Sequence, residues 1–272
     1  MSELAVQEKN YTMEEIAAQL GAAPKSGPTI PTLKMNYEPD DAPMGAFFLK
    51  TGQDHVYATE NVRIRAFSNH IQYQHWDDVD GLVNKSLLIK NQREEARDIL
   101  GGFMCGMPTY EQSIQMSPEE KEKYKGIDRY RVIRGLITYT GTTSQGKEVT
   151  IENQPFKLET KRKNYGPFWH DVMKRMPDGM NLWDFECILS TEKQKNSYGK
   201  TFYVMRFNPQ FADPLPMDQM TYDSLAYVTK LVTDENARIN QAYKEALNIE
   251  REVGEAATIV DKVEQALDAD VA

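Results

Sequence analysis

Tyr130-Arg-Val-Ile-Arg-Gly-Leu-Ile-Thr-Tyr139 is the stretch whose reading decides the fold. It is rich in β-branched and aromatic residues and too long for a turn, so it reads as a strand. Thr140-Gly-Thr-Thr-Ser-Gln-Gly146 follows as a cluster of turn residues, and Glu148-Val-Thr-Ile151 as a short return strand. Pro155-Phe-Lys-Leu-Glu-Thr-Lys161 alternates apolar and polar residues and predicts a third strand. After Asn164-Tyr-Gly-Pro, the residues Phe168, Val172, Met173 and Met176 fall on one helical face, and Pro177-Asp-Gly179 ends that helix. Leu182 to Ser190 alternates again, with Trp183, Phe185, Cys187 and Leu189 on one side and Asp184 and Glu186 on the other. Thr201-Phe-Tyr-Val-Met-Arg-Phe207 is a strand by composition, reached across a polar loop.

Three strands, a helix and two strands is the order of an oligonucleotide/oligosaccharide-binding (OB) fold, a Greek-key barrel. The expected class is therefore α+β: a five-stranded OB-like barrel with an N-terminal β extension and C-terminal helices. Such a barrel binds ligands on its strand 2–3 face and on its 1–2 and 4–5 loops. Here these are Lys147 to Lys163, the hairpin Gly141 to Gly146 and the loop Thr191 to Lys200.

Around this centre the chain divides into residues 1–31, 32–212 and 213–272. Thr12-Met-Glu-Glu15 is a capping box that starts a short helix, and Ala22 to Pro31 reads as a proline-rich linker. Strands are expected at Phe47–Lys50, Val56–Phe67, Ile71–Trp76 and Lys85–Lys90, with Ser68-Asn69 as a break. They complete the later barrel or form a sheet of their own. Asn91-Gln-Arg-Glu94 predicts a helix to about Leu100, and Ser117-Pro-Glu-Glu120 starts another. After Phe207, two or three helices carry apolar stripes. One is Ile239, Tyr243, Ala246, Leu247 and Val253, the other Ala256, Val260, Val263 and Leu267.

The 272 residues carry a net charge of −9, which argues against coating nucleic acid by bulk charge. The charge is uneven. Residues 1–45 hold three Lys against seven Asp/Glu, residues 213–272 five Lys/Arg against thirteen, and 46–212 retain +3. A mildly basic centre between acidic ends suits local phosphate attraction. Two cysteines make no disulfide framework, no apolar signal core opens the chain, and no stretch reaches the ~20 apolar residues of a membrane span. A reducing cytoplasm is the expected location.

Single strands are held by a positive groove plus aromatic faces on which bases stack. Lys161, Arg162 and Lys163 lead directly into Tyr165 and Trp169, and Lys193, Lys195 and Lys200 surround Tyr198. Tyr139 and Lys147 flank the 1–2 hairpin, and Arg63 and Arg65 share one strand face. Phe168 and Cys187 are read as core. His70 and His75 lie five apart on a strand, hence on opposite faces, and neither cysteine has a partner at CxxC spacing, so no metal site is expected. Pro177-Asp178 followed by Glu192-Lys193 resembles the acidic-lysine pattern of a Mg²⁺-dependent nuclease, but Gln194 stands where that pattern needs its Lys, and Asp184 and Glu186 on one strand face are the pair that would coordinate its cation. No phosphate-cradling glycine loop or nucleophile elbow is present, and no cofactor is expected.

In layout, Lys85-Ser-Leu-Leu-Ile to Cys105-Gly, Tyr130 to Tyr139, Phe168-Trp and Trp183-Asp-Phe resemble the tailed-phage single-stranded DNA-binding proteins of the OB type, over roughly Thr32 to Pro209. The resemblance implies a non-catalytic protein that coats single-stranded DNA in replication or recombination. It also implies an acidic C-terminal tail that recruits replication proteins. The end of the chain departs from that pattern, because several helices precede the tail and Asp268-Ala-Asp-Val-Ala272 lacks a dense acidic run and a final aromatic. Self-association through these helices, or an adaptor role in which they form the working interface, is the competing expectation.

Overall fold

The structure, a computed structural model, describes residues 30–38, 42–50 and 55–269, with side chains for these except Lys50 and 249–269. The capping box at Thr12 and the linker to Pro31 lie almost wholly outside the described residues. Nine strands form one sheet: β1 (Thr32–Met35), β2 (Phe47–Lys50), β3 (Val56–Ala58), β4 (Val62–Asp77), β5 (Gly81–Lys85), β6 (Ile127–Thr143), β7 (Glu148–Lys161), β8 (Cys187–Lys195) and β9 (Thr201–Pro209). Among the described residues three α-helices are α1 (Tyr110–Gln115), α2 (Pro118–Glu122) and α3 (Gln219–Ala269).

Five of these strands close into a barrel. β1 pairs antiparallel with β2, β2 with β3, β3 with β6 and β6 with β7, and β7 closes the ring by lying parallel to β1. The α+β class and the OB-like mixed barrel are thus present, and the N-terminal strands belong to the barrel itself. Its membership differs from the sequence reading. Glu148–Ile151 and Pro155–Lys161 are one strand, interrupted by a bulge at Asn153, whose φ is 46°. β8 and β9 extend the sheet from β4, with β8 paired to β4 over only Val62–Ile64.

The core follows from strand alternation. Ile133, Ile137 and Tyr139 of β6, Phe156 and Leu158 of β7, and Leu33 and Leu49 are at most 3% exposed and point into the barrel. Phe168 and Val172 plug it from one side. Gly135 is dictated by close approach, since a Cβ there would collide with the carbonyl oxygen of Arg65 on β4.

Ser68-Asn69 is not a break. β4 runs through it for 16 residues and takes up one extra residue, Phe67, between Ala66 and Ser68 opposite β6. Asn91 to Leu100 forms no helix. Asn91 and Glu94 do not close a capping box: Asn91 Oδ1 accepts from Arg93 N at 3.0 Å and Glu94 Oε2 from Lys90 N at 3.0 Å, each one residue off the reciprocal pair. The chain instead turns, and Asp98 and Arg97 form isolated bridges to Ser86 and Phe103. The Ser117 start is as expected, with Ser117 Oγ accepting from Glu120 N and Glu120 Oε2 from Ser117 N.

The C-terminal stripes lie on one continuous 51-residue helix. Thr221, Leu225, Val228, Val232, Glu235 and Ile239 step by four and three along α3 and meet the outer face of β4 and β6. Leu225 and Val228 pack on Phe67 and Leu136, and Val232 on Leu88, Tyr130 and Val132. Polar contacts fasten the same face. Arg65 donates to Thr221 Oγ1 and to the Pro216 and Trp183 carbonyls, Asn236 exchanges hydrogen bonds with the Leu88 backbone, and Glu235 pairs with Arg134 and Lys85. Pro31 onward forms one compact unit.

Candidate nucleic-acid interface

The bulge at Phe67 determines what the far end of the sheet presents. Val62, Ile64 and Ala66 point into the barrel core. One inserted residue reverses the alternation, so Asn69, Ile71 and Tyr73 then share the inner face with their direct partners Ile133, Arg131 and Arg129. The inner face of β6 accordingly passes from Ile137 and Ile133 to Arg131 and Arg129, where the barrel opens into a groove of about 1090 Å³. A second hollow of about 550 Å³ adjoins it, sharing Gln92, Arg129 and Tyr165.

Arg131 is only 5% exposed. Its Nη1 donates to Asn69 Oδ1 at 2.8 Å and its Nε to the Tyr165 carbonyl at 3.0 Å, and its guanidinium lies 4.7 Å from the centre of the Tyr165 ring. Arg129 lies 4.4 Å from the same ring. Among the described residues neither arginine has a carboxylate within ion-pair distance. Burial lowers the pKa of Arg131, Tyr165 raises it, and Arg129 lowers it further. An arginine remains charged under such pressure, so the groove floor carries a desolvated cation without a counterion.

One wall is the turn after β7. Arg162–Asn164 is a tight 3₁₀ turn with Arg162 at φ 53°, followed by a π turn over Trp169–Met173 in place of the expected helix to Met176. Asn164 Oδ1 accepts from Met205 N at 2.7 Å and Asp171 Oδ2 from Phe207 N at 3.2 Å, stitching the turn to β9. Phe168 is thereby buried, as read from the sequence, while the next residue, Trp169, is left 48% exposed in the groove. The opposite wall is the Lys90–Arg93 turn. Lys90, Arg93, Arg129 and Arg131 line the groove together with His70 and His170, and no Asp or Glu among the described residues lines it.

The sequence-predicted residues divide into separate groups. Tyr165 and Trp169 line the groove. Arg162 lines the adjoining hollow, and it and Lys161 pair with Asp128 at 3.0 and 2.8 Å. Burial pushes the Asp128 carboxyl up, but hydrogen bonds from Arg162 and Lys161 more than offset this and hold it below its ordinary value. Lys163 is exposed beside them. Lys193, Lys195, Tyr198 and Lys200 are exposed on the β8–β9 hairpin, and Lys147 on the β6–β7 hairpin, and none of them lines the groove. Arg63 is exposed on β4, whereas Arg65 is spent on fastening α3. Tyr139 offers no stacking face. Its ring is 2% exposed, and its hydroxyl donates to the Val56 carbonyl at 2.9 Å and accepts from Leu49 N at 3.3 Å.

Arg129, Arg131, Lys90 and Arg93 were absent from the sequence reading, although Arg129 and Arg131 show the same two-residue spacing as Arg63 and Arg65. Of the nuclease reading, Asp184 is otherwise engaged. Leu182–Asp184 is a 3₁₀ turn, the strand begins only at Cys187, and Asp184 Oδ2 caps the turn by accepting from Asn181 N at 2.7 Å. Burial, with Asp98 beside one and Glu186 beside the other, pushes the Cys105 and Cys187 thiols up to about 12, which keeps them protonated. Among the described residues no three His, Cys, Asp or Glu side chains converge as metal ligands, and no helix is long and apolar enough to cross a membrane. Compared with protein-family models, curated proteins and solved structures, the chain matches none.

Proposed function

We propose that this protein binds single-stranded nucleic acid in the groove between β4, β6 and the Tyr165–Met173 turn, and that it serves as a single-stranded DNA-binding protein in replication or recombination. The observation that carries this reading is a groove lined, among the described residues, by four Lys/Arg side chains and no carboxylate, in a chain of net charge −9. An unneutralised, desolvated Arg131 favours an anion, and phosphate is the anion that recurs along a strand. The half-exposed indole of Trp169 supplies an aromatic face on which a base stacks without regard to its identity. No catalytic step is assigned to the groove. The protein protects and presents the strand. Duplex DNA lacks free base faces and competes poorly.

The reading is tested by fluorescence anisotropy of labelled poly-dT titrated with the full chain at low and high salt, with duplex as competitor. Tight binding that weakens steeply with salt and survives duplex competition is expected. Absence of binding at low salt overturns it. The length of α3 favours a second reading, an adaptor working through that helix, which predicts a defined protein assembly and at most weak binding of DNA.

A further inference from the structure

The stripe that docks α3 on the sheet does not end where the sheet ends. The steps of four and three from Thr221 to Ile239 continue without a slip through Ala242, Ala246 and Ile249. They run on through Val253, Ala256, Val260, Val263 and Leu267, all on the same unbroken helix. At 1.5 Å per residue α3 is about 75 Å long, more than a sheet of this width covers. A straight helix drifts off a strict seven-residue repeat, and where α3 runs on past the residues it packs against the sheet, a repeat kept in phase suits a supercoil with another helix.

We infer that the last heptads of α3, from Val253 to Leu267, form a parallel coiled coil with the same segment of other copies of this chain. The charge pattern is compatible with parallel self-pairing. With Val253, Val260 and Leu267 at a and Ala256 and Val263 at d, the flanking g and e positions of a parallel pair bring Glu252 opposite Ala257 and Ile259 opposite Glu264. No two carboxylates face each other across that seam. One heptad earlier Glu245 would face Glu250, and like charges there set the start of the pairing. It is also where α3 still belongs to its own body, with Tyr243 against Phe103 and Arg97. The same face of one helix thus serves two interfaces in succession, the sheet first and the partner helix after it. Such an assembly would hold several grooves on one stem. The inference is independent of what the grooves bind.

The test is light scattering on the full chain over a range of concentrations. A mass at least twice the 31.2 kDa of one chain is expected, falling to the single-chain value in Val260→Asp and kept in Val260→Ile. Should Val260→Asp lose helix content, Val260→Cys replaces it as the probe. In a parallel, in-register pairing its thiols face each other and oxidise to a covalent dimer, while Cys105 and Cys187 stay buried. A single-chain mass at every concentration overturns the inference. So does an assembly that survives Val260→Asp, or one in which Val260→Cys fails to cross-link.

Discussion

The Arg131 guanidinium lies 4.7 Å from the centre of the Tyr165 ring, and its Nε donates to the Tyr165 carbonyl at 3.0 Å. One side chain from β6 therefore fixes both the backbone and the ring of the turn that walls the groove. Arg129 reaches the same ring at 4.4 Å but is less buried. The two arginines are expected to fail differently. Arg129→Ala removes a phosphate partner, so binding weakens uniformly and the salt slope falls by about 0.7 per lost phosphate on a single strand. Arg131→Ala also releases Asn69 and the turn, so the thermal midpoint falls along with affinity. Anisotropy at several salt concentrations, paired with thermal melts, separates the two effects.

Trp169 makes the stacking claim directly testable. Its exposed ring contributes little to the core, so Trp169→Ala is expected to leave the melting temperature nearly unchanged. Affinity for poly-dT should drop by about 1–3 kcal/mol, roughly five- to 150-fold. Tyr198→Ala on the β8–β9 hairpin lies outside the groove and is expected to cost less. Equal losses in the two variants would move the stacking platform to the hairpin.

Tyr139 predicts the reverse behaviour. Its hydroxyl links the Val56 carbonyl and the Leu49 amide across the barrel. Tyr139→Phe leaves those groups short of a partner at about 1–2 kcal/mol, a few degrees in the midpoint. Strand binding should be unchanged once the protein is folded. A loss of affinity at unchanged stability would return Tyr139 to the interface.

What was legible in the sequence, and what was not, turns on single inserted residues. The alternation of Ile133, Ile137 and Phe156 was readable because each strand keeps its period between bulges. Asn153 broke the pattern and made one strand look like two. Phe67 did the same for β4, and because it reverses which residues face inward, it hid the groove. Arg63 and Arg65 looked like a binding pair, yet they lie before the bulge on the outer face. Arg129 and Arg131, equally spaced, lie opposite residues beyond it. No local signal in the sequence distinguishes the two pairs. The alternation likewise could not tell that Tyr139 points inward with its hydroxyl satisfied. Phe168 and Trp169 were easier, because adjacent residues on a helical turn cannot both face the core.

The contact between α3 and the sheet makes stability depend on acid. Burial pushes the Glu235 carboxyl up, but Lys85 and Arg134 overcome this and hold it at about 2. A carboxyl depressed in the folded state stabilises fully above its unfolded value near 4.3, and that stabilisation is lost as pH falls toward about 2. The shift corresponds to about 3 kcal/mol. His70, on the same outer face, is held at about 4 by burial and by the nearby Arg134 and Lys90. Its folded form resists the proton that the unfolded chain accepts near 6.5, so it too withdraws stability as pH falls, here between about 6.5 and 4. The expected melting profile therefore declines in two stages below neutrality. His70→Gln should flatten the upper stage. Glu235→Gln should flatten the lower one and reduce stability at pH 7, because Arg134 is then left buried without its anion. Thermal melts of the three proteins from pH 7 to pH 3 check this. A wild-type profile level across that range would show that the Glu235 cluster does not hold α3 to the sheet.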